Sequence, residues 1–537
     1  MPERRVADAV VEVLRAASVQ AVFGIPGLHT LGLYDALADA PSIRHILTRH
    51  EQGAAFAADG YARTSRQPGV CSTITGPGAF NTLAAVAEAW ADSSPVVIMA
   101  GQIDAVLDGQ GRGVLHETPD QGRSFEAVTA FVGRPRTPEA VPAAVAEALR
   151  ASVAGRPQPA YVELPTDLLT QSFIGERPSF AWPTPQGPDP QRIAEAAGAL
   201  STAERIVVVA GAGVLRAGAT SELATLAVSL DAVVVAPASG AGAMSADDPR
   251  WGGLMLASRP ETRALFEEAD AVVVVGCRLD DIQTGRLSLP LPNLVHIDVD
   301  PAAIGRTYPA EVGIVGDARL SLEGLVEEIG PRARNADDWG VGRAMGARDA
   351  ARTAISPSDP AMREAFFEAR EVLGRDSILT HDAALVNAWS GYAWPVYEPD
   401  GSIFPWGSAS LGFALPAANG AAVAAPGRRV VATCGDGGFL FTATELATSV
   451  AHQLDVTVLI HDDSAFGSIA NYQMQRHGRS YATDLHNPDL VAFARSFGVP
   501  AERVESMLEL PAAMAKATSQ PGPSVVVLSS PLRNPWV

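Results

Sequence analysis

Short, almost wholly apolar runs that end in glycine, aspartate or proline recur along the chain and predict strands buried on both faces of parallel sheets. They include Ile206 to Ala210, Ala232 to Ala236, Ala271 to Gly276 and Leu294 to Val299 in the middle, and Val430 to Cys434, Val456 to Ile460 and Ser524 to Leu528 toward the C-terminus. Helical stretches lie between them, the alternation of a doubly wound fold. Near the N-terminus Val6, Val10, Val13, Leu14 and Ala17 fall at helical spacing, interrupted by Glu3, Asp8 and Glu12. That predicts an amphipathic helix, not a signal peptide.

Two stretches break the rhythm. Gly175 to Pro190 repeats prolines around Trp182 and reads as a stiff linker. Arg332 to Pro360 is polar and rich in alanine and glycine, and reads as a second linker. The 537 residues then divide into three α/β domains, each a doubly wound parallel sheet, at 1–175, 191–330 and 360–537, the last of which ends after its final strand in a short tail with Trp536. Sixty acidic against 40 basic residues, with no dense Lys/Arg cluster, make nucleic acid and anionic membranes poor partners. No apolar run is long enough to predict a membrane span. Cys71, Cys277 and Cys434 are dispersed and odd in number, which predicts neither a disulfide framework nor a zinc site and fits a reducing cytoplasm.

The chemistry gathers between Gly435 and Gly467. One strand runs into Gly435-Asp436-Gly437-Gly438, and the next ends on Asp462-Asp463-Ser464-Ala465. Gly437 and Gly438 lack a Cβ, so their N–H groups can approach a phosphate at a helix start, while Asp436 offers a carboxylate to a hard cation. Asp463 reaches the same sheet edge, so one metal would bridge both strand ends to a diphosphate. A glycine turn alone is as readily an ordinary βαβ connection; the paired aspartates set this one apart. Side chains alternate along a strand, so Asp463 and not Asp462 should face the metal, with the Ala465 carbonyl as a further ligand.

This unit resembles the thiamine-diphosphate motif of acetolactate synthases and pyruvate decarboxylases, a Gly-Asp-Gly followed about 26 residues later by Asn-Asn or Asn-Asp. Other segments carry the likeness over nearly the whole chain. Arg49-His50-Glu51-Gln52-Gly53 opens a helix of small residues that would desolvate the Glu51 carboxyl, although a glutamate there is by itself most often a cap. The string resembles the family's glutamate segment, which implies that Glu51 hydrogen-bonds N1′ of the aminopyrimidine. Sharing a proton there favours the imino form, whose 4′ nitrogen deprotonates thiazolium C2. Gly76-Pro77-Gly78-Ala79-Phe80-Asn81 is similar to the family's Gly-Pro-Gly-x-x-Asn, which implies that Gly76 and Asn81 lie beside the pyrimidine and the neighbouring subunit.

His29 follows a Pro-Gly turn at a strand end, where a loop faces ligand. In the glycine-rich loop Gly109 to Gln121, His116 and Glu117 stand where pyruvate decarboxylase-like members carry paired histidines and acetolactate synthases carry Gln-Glu. Leu115-His116-Glu117-Thr118-Pro119-Asp120-Gln121 resembles the 5-guanidino-2-oxopentanoate (2-ketoarginine) decarboxylase branch. Trp406 to Pro416 resembles the segment at the cofactor's bend, which implies that Leu411 is the apolar wedge and the Ala409 carbonyl accepts from the 4′ amino group. Asn387 follows a strand end where the family often binds diphosphate, and Ser468 and Ile469 open a helix expected to cover the cofactor. In the middle domain Gly211-Ala212-Gly213 lacks the third glycine of a dinucleotide fingerprint, since position 216 is Arg216. Leu254-Met255-Leu256-Ala257-Ser258 departs from the flavin-binding acetolactate synthases, so FAD is doubtful.

The resemblance implies thiamine diphosphate with Mg2+, and non-oxidative decarboxylation of a 2-oxo acid through a C2 carbanion and enamine, with Glu51, His116, His29 and Glu117 as catalytic groups. It also implies a homodimer or homotetramer with active sites at the subunit interface. Carboligation of the acetolactate synthase type shares each step through loss of carbon dioxide. An FAD-dependent 2-oxo acid oxidase and a cofactor-binding protein without turnover are further alternatives. A cationic substrate side chain would suit Glu117 and Asp382.

Overall fold

The computed structural model describes residues 4–176, 179–330, 338–532 and 534–535. Glu3, residues 177–178 of the first expected linker, Arg332 to Asp337 of the second, and Trp536 lie outside the described residues. Three six-stranded sheets, parallel throughout, form the chain's three α/β domains.

The first sheet uses β1 (Ala21–Gly24), β2 (Arg44–Leu47), β3 (Gly69–Thr73), β4 (Val96–Gln102), β5 (Phe131–Gly133) and β6 (Ala160–Pro165), in the order β2-β1-β3-β4-β6-β5. The central sheet uses β7 (Ile206–Ala210), β8 (Val233–Ala236), β9 (Trp251–Leu254), β10 (Ala271–Val275), β11 (Leu294–Asp298) and β12 (Val312–Val315), in the order β12-β11-β10-β7-β8-β9. The third uses β13 (Ile378–His381), β14 (Ser402–Ile403), β15 (Val430–Gly435), β16 (Val456–His461), β17 (Ala501–Val504) and β18 (Ser524–Leu528), in the order β14-β13-β15-β16-β18-β17. The first and third orders are the same pattern.

The inner strands read as unbroken apolar runs because each feeds two cores. Along β7, Ile206, Val208 and Ala210 enter one cluster, while Val207 and Val209 enter another. Edge strands pair on one side only and lack that signal: β17 contains Glu502 and Arg503, and β14 is two residues long.

The second expected linker is corrected by the helix Trp339–Ala354. Its Ala344 and Ala347 are buried in the central core with Val233, Val235 and Phe266. An Ala/Gly stripe has little hydrophobic contrast, yet it allows close approach. The first linker is irregular over 179–189, and Asp189 then caps the helix Pro190–Ser201 by accepting from Gln191 N.

The first and third domains share one apolar core, in which Phe56 and Phe413 meet edge-on at 5.2 Å. Helix Glu51–Ser65 lies directly against helix Ala414–Ala424, where a Cβ on Gly60 would overlap the Ala417 carbonyl and one on Gly420 the Ala57 carbonyl. Buried Arg63 joins the same interface, pairing with Asp59 at 2.6 Å and Asp92 at 2.9 Å and donating to the Phe404 carbonyl at 2.9 Å. These partners satisfy a charge that would otherwise be costly to bury.

Candidate active site

On the first domain the expected residues gather at the C-terminal edge of the sheet. His50 caps helix Glu51–Ser65 by accepting from Gln52 N, which leaves Glu51 in the first turn. Asn81 donates to Glu51 Oε2 at 2.9 Å, and Gly78 leaves space beside Oε1. Gly76 holds φ +65° and donates its N–H to Gln121 Oε1 at 2.5 Å. Gln121 Nε2 in turn donates to the Gly101 carbonyl at 3.1 Å and pairs with Tyr161 OH at 2.6 Å. A buried amide thus docks the 109–121 loop on the glycine turn, and a Cβ on Gly76 would lie 2.7 Å from the His116 carbonyl. In sequence, Gln121 is marked only as the last residue of the Leu115-to-Gln121 string, which gives no sign of this docking role.

His29 and His116 come together, with ring centroids 5.4 Å apart, and the Nδ1 of each is buried without a hydrogen-bond partner among the described residues. Burial first, then the neighbouring His116, lowers the His29 pKa, against a smaller opposing pull from Asp104. A pocket of about 440 Å³ opens beside His29, lined by Leu28, Leu31, Ile103, Asp104, Leu115 and Leu169 among others. Glu117 spends both carboxylate oxygens on its own loop, accepting from Gly111 N at 2.9 Å and Val114 N at 3.0 Å. Those donors, Val114 foremost, hold its carboxyl below the usual range.

On the third domain Asp436 is buried at the start of helix Asp436–Thr442. It accepts from Gly437 N at 2.7 Å and from Asn487 Nδ2 at 2.6 Å. Burial, with Asp463 and Asp462 nearby, pushes its carboxyl up to about 6. A Cβ on Gly438 would lie 2.7 Å from Asp382 Oδ2, the atom that accepts from Gly412 N at 2.9 Å. Burial pushes Asp382 up to about 7.

Asp462 turns to Arg503 at 2.9 Å and Asn487 at 3.2 Å. Burial raises its pKa, but these partners outweigh that and leave it below the usual range. Asp463 accepts from Ala465 N at 3.2 Å, and burial raises its pKa. Among the described residues no three His, Cys, Asp or Glu side chains converge as a metal site. Asn487, which ties Asp436 to Asp462, was missed by sequence reasoning; its Asn-Pro turn before helix Leu490–Ser496 was the only hint.

Asn387 is buried, and among the described residues its Oδ1 has no partner. Ala409 adopts φ +52° in a loop that ends at half-buried Leu411. Ser468 and Ile469 begin helix Gly467–His477, which buries none of its residues; Ile469 is 52% and Tyr472 62% exposed. Among the described residues no hydrogen bond joins Glu51 to the Asp436 group within one chain.

A larger cavity, about 880 Å³, lies away from these groups where the three domains meet, lined by Arg156, Arg216, Arg278, Arg306 and Asp298 among others. It sits at the β7/β10 switch point of the central sheet. The Gly211-Ala212-Gly213 turn there has a packing reason, since a Cβ on Gly213 would lie 2.6 Å from Gly276 Cα. The three cysteines are free and buried, and among the described residues no helix is long and apolar enough to cross a membrane.

Family models follow the three sheets. Residues 4–124 match the N-terminal TPP binding domain of thiamine pyrophosphate enzymes, 193–325 their central domain and 382–528 their C-terminal TPP binding domain. The chain belongs to the thiamine pyrophosphate enzymes. It is similar to a probable 2-ketoarginine decarboxylase of Pseudomonas aeruginosa, 34% identical over 531 residues that cover 97% of this chain and 93% of the relative. A probable acetolactate synthase large subunit of Methanocaldococcus jannaschii is 33% identical, covering 94% and 88%. The Escherichia coli acetolactate synthase isozyme 1 large subunit is 31% identical, covering 97% and 93%.

Proposed function

We propose that this enzyme decarboxylates a 2-oxo acid without oxidation, using thiamine diphosphate and Mg2+ in a site completed by a second copy of the chain. The observation that carries the reading is the Glu51–Asn81 pair at 2.9 Å, on the same sheet edge as two histidines with unpartnered Nδ1 atoms. Asp436, Asp463 and the Ala465 carbonyl would hold Mg2+ through oxygen alone, as a hard cation prefers. Gly437, Gly438 and Asn387 would hold the diphosphate, with Ala409, Leu411, Ser468 and Ile469 around the rest of the cofactor. When bound, thiamine diphosphate supplies a carbon nucleophile and an electron sink.

Glu51, with Oε2 held by Asn81, would hold a proton at N1′ of the aminopyrimidine with the cofactor bound. His29, kept neutral at pH 7 by burial and by its neighbour His116, accepts a proton, and His116 orients the substrate carboxylate. Glu117 acts through its loop by fixing the segment that carries His116. The apolar pocket wall, whose Leu28 and Leu31 are exposed in one chain, would exclude water from the reacting carbon once a partner copy covers it.

The uncovered helix Gly467–His477, together with Leu28 and Leu31 at 59% and 57% exposure, supports burial against a partner copy. A 2-oxo acid with a cationic side chain is favoured, because Asp104 places a carboxylate in the pocket wall and one relative is named a probable 2-ketoarginine decarboxylase. Carboligation is the second reading, favoured by the acetolactate synthase relatives.

The test is a panel of pyruvate, arginine-derived and aromatic 2-oxo acids scored for carbon dioxide and for the organic product. An aldehyde supports decarboxylation, and an α-hydroxy ketone, or a 2-hydroxy-3-oxo acid when the acceptor is a second 2-oxo acid, supports carboligation. Full turnover in Glu51→Gln with cofactor bound would sink the reading.

A further inference from the structure

Because the first and third sheets share one strand order, elements of one domain have counterparts in the other. Helix Glu51–Ser65 follows β2 and helix Ala414–Ala424 follows β14; helix Leu83–Ala91 follows β3, and the segment from Ala443 to Ala451 follows β15. From the second pair of counterparts one buried glutamate crosses the domain interface in each direction. Glu88 accepts from Ser408 N with Oε1 at 3.1 Å and from Ser410 N with Oε2 at 3.0 Å. Glu445 accepts from both Arg49 N and His50 N with Oε1 at 3.0 Å, while its Oε2 accepts from Thr448 Oγ1 at 2.6 Å.

Glu88 is 0% exposed and Glu445 1%. A buried carboxylate is expensive, and backbone N–H donors make strong, directional partners for it. Their targets are the segments that carry the cofactor-facing groups. Ser408 and Ser410 flank Ala409, which is held at φ +52°, and Arg49 and His50 lead into Glu51. The Glu88-held loop is fixed a second time where Asp382 accepts from Gly412 N. Gly53 leaves the space that the Glu445 carboxylate fills, since a Cβ there would overlap it.

We infer that Glu88 and Glu445 are positioning residues for catalysis, each rooted in one domain and setting the cofactor loop of the other. Glu445 aims Glu51, and Glu88 aims the Ala409 carbonyl. This rests on the thiamine-diphosphate reading above. The two clasps differ in a way that side-chain chemistry can expose. Glu88 uses both oxygens on N–H donors, so an amide would turn its NH2 against one of them. Glu445 uses one oxygen for both N–H groups and faces a hydroxyl with the other, so a glutamine can keep every contact.

The readout is hydrogen–deuterium exchange at C2 of bound thiamine diphosphate, followed by quenched-flow NMR, with cofactor affinity measured by calorimetry in parallel. Glu88→Gln and Glu445→Ala should slow the exchange roughly 10- to 100-fold, the scale of a misplaced catalytic group, with affinity nearly unchanged. Glu445→Gln should restore the rate lost in Glu445→Ala. The inference is overturned if Glu88→Gln exchanges at the wild-type rate, or if Glu445→Gln is as slow as Glu88→Gln. The two glutamine variants are isosteric and carry this contrast even if Glu445→Ala does not fold. A wild-type chain that leaves C2 exchange at the rate of free cofactor overturns the underlying reading, and shows it without any variant.

Discussion

The turns after β3 and β15 occupy one place in one strand order, yet they offer opposite things. Gly76-Pro77-Gly78 has no N–H at Pro77 and gives the N–H of Gly76 to Gln121, so little is left for a phosphate. Its contribution is room, with Gly78 beside Glu51. Gly435-Asp436-Gly437 puts a buried carboxylate at a helix start, followed by two glycines. The same contrast runs through the neighbouring elements, where Glu51 opens the helix after β2 and an uncharged loop precedes the helix after β14. The shared architecture sets where the loops stand, and on the proposed reading a few side chains decide which half would handle protons and which would hold diphosphate and metal.

The strongest way to break this division is at its metal end. Asp463→Ala should abolish Mg2+-dependent binding of thiamine diphosphate in calorimetry, whereas Asp462→Asn should leave it largely intact; the opposite ranking would reverse the two roles. At the proton end, Glu51→Gln should keep cofactor binding while lowering kcat roughly 10²- to 10⁴-fold in a carbon dioxide release assay. The interface that carries both halves should be sensitive too. Arg63→Met strands Asp59 and Asp92 and should cost about 3–5 kcal/mol in urea unfolding.

The smallest effect separates two histidines at matching strand ends, His29 after β1 and His381 on β13. His381 is packed with Thr433 at 2.9 Å and Ser390 at 3.2 Å, and burial lowers its pKa to about 3. A base whose folded pKa is depressed contributes its full stability above the unfolded value near 6.5 and loses it as pH falls toward 3. Stability should therefore fall with pH through this residue only between about 6.5 and about 3. His381→Gln should flatten that slope in pH-dependent unfolding, while His29→Gln should act on turnover.

Much of this contrast is legible in the amino-acid sequence. Inner strands announce themselves because both faces are buried, and Asp436, Asp463 and Glu51 stand in strings with recognisable spacing. Edge strands such as β17 do not, because solvent on one side admits Glu502 and Arg503. The helix Trp339–Ala354 was hidden by its Ala/Gly stripe, whose signal is closeness and not apolarity. Asn487, Gln121, Glu88 and Glu445 were illegible for a shared reason: each acts on a backbone or side-chain group far away in sequence. Local periodicity carries no trace of such partners.

Mixing two dead variants tests the divided site most directly. Co-expressed Glu51→Gln and Asp463→Ala chains form mixed dimers in which one of the two sites combines an intact first domain with an intact third domain. Random pairing should then recover about a quarter of the wild-type decarboxylation rate, although each variant alone is inactive. No recovery, with mixed dimers present, would mean that Glu51 and Asp463 of one chain serve the same site, and would contradict the account.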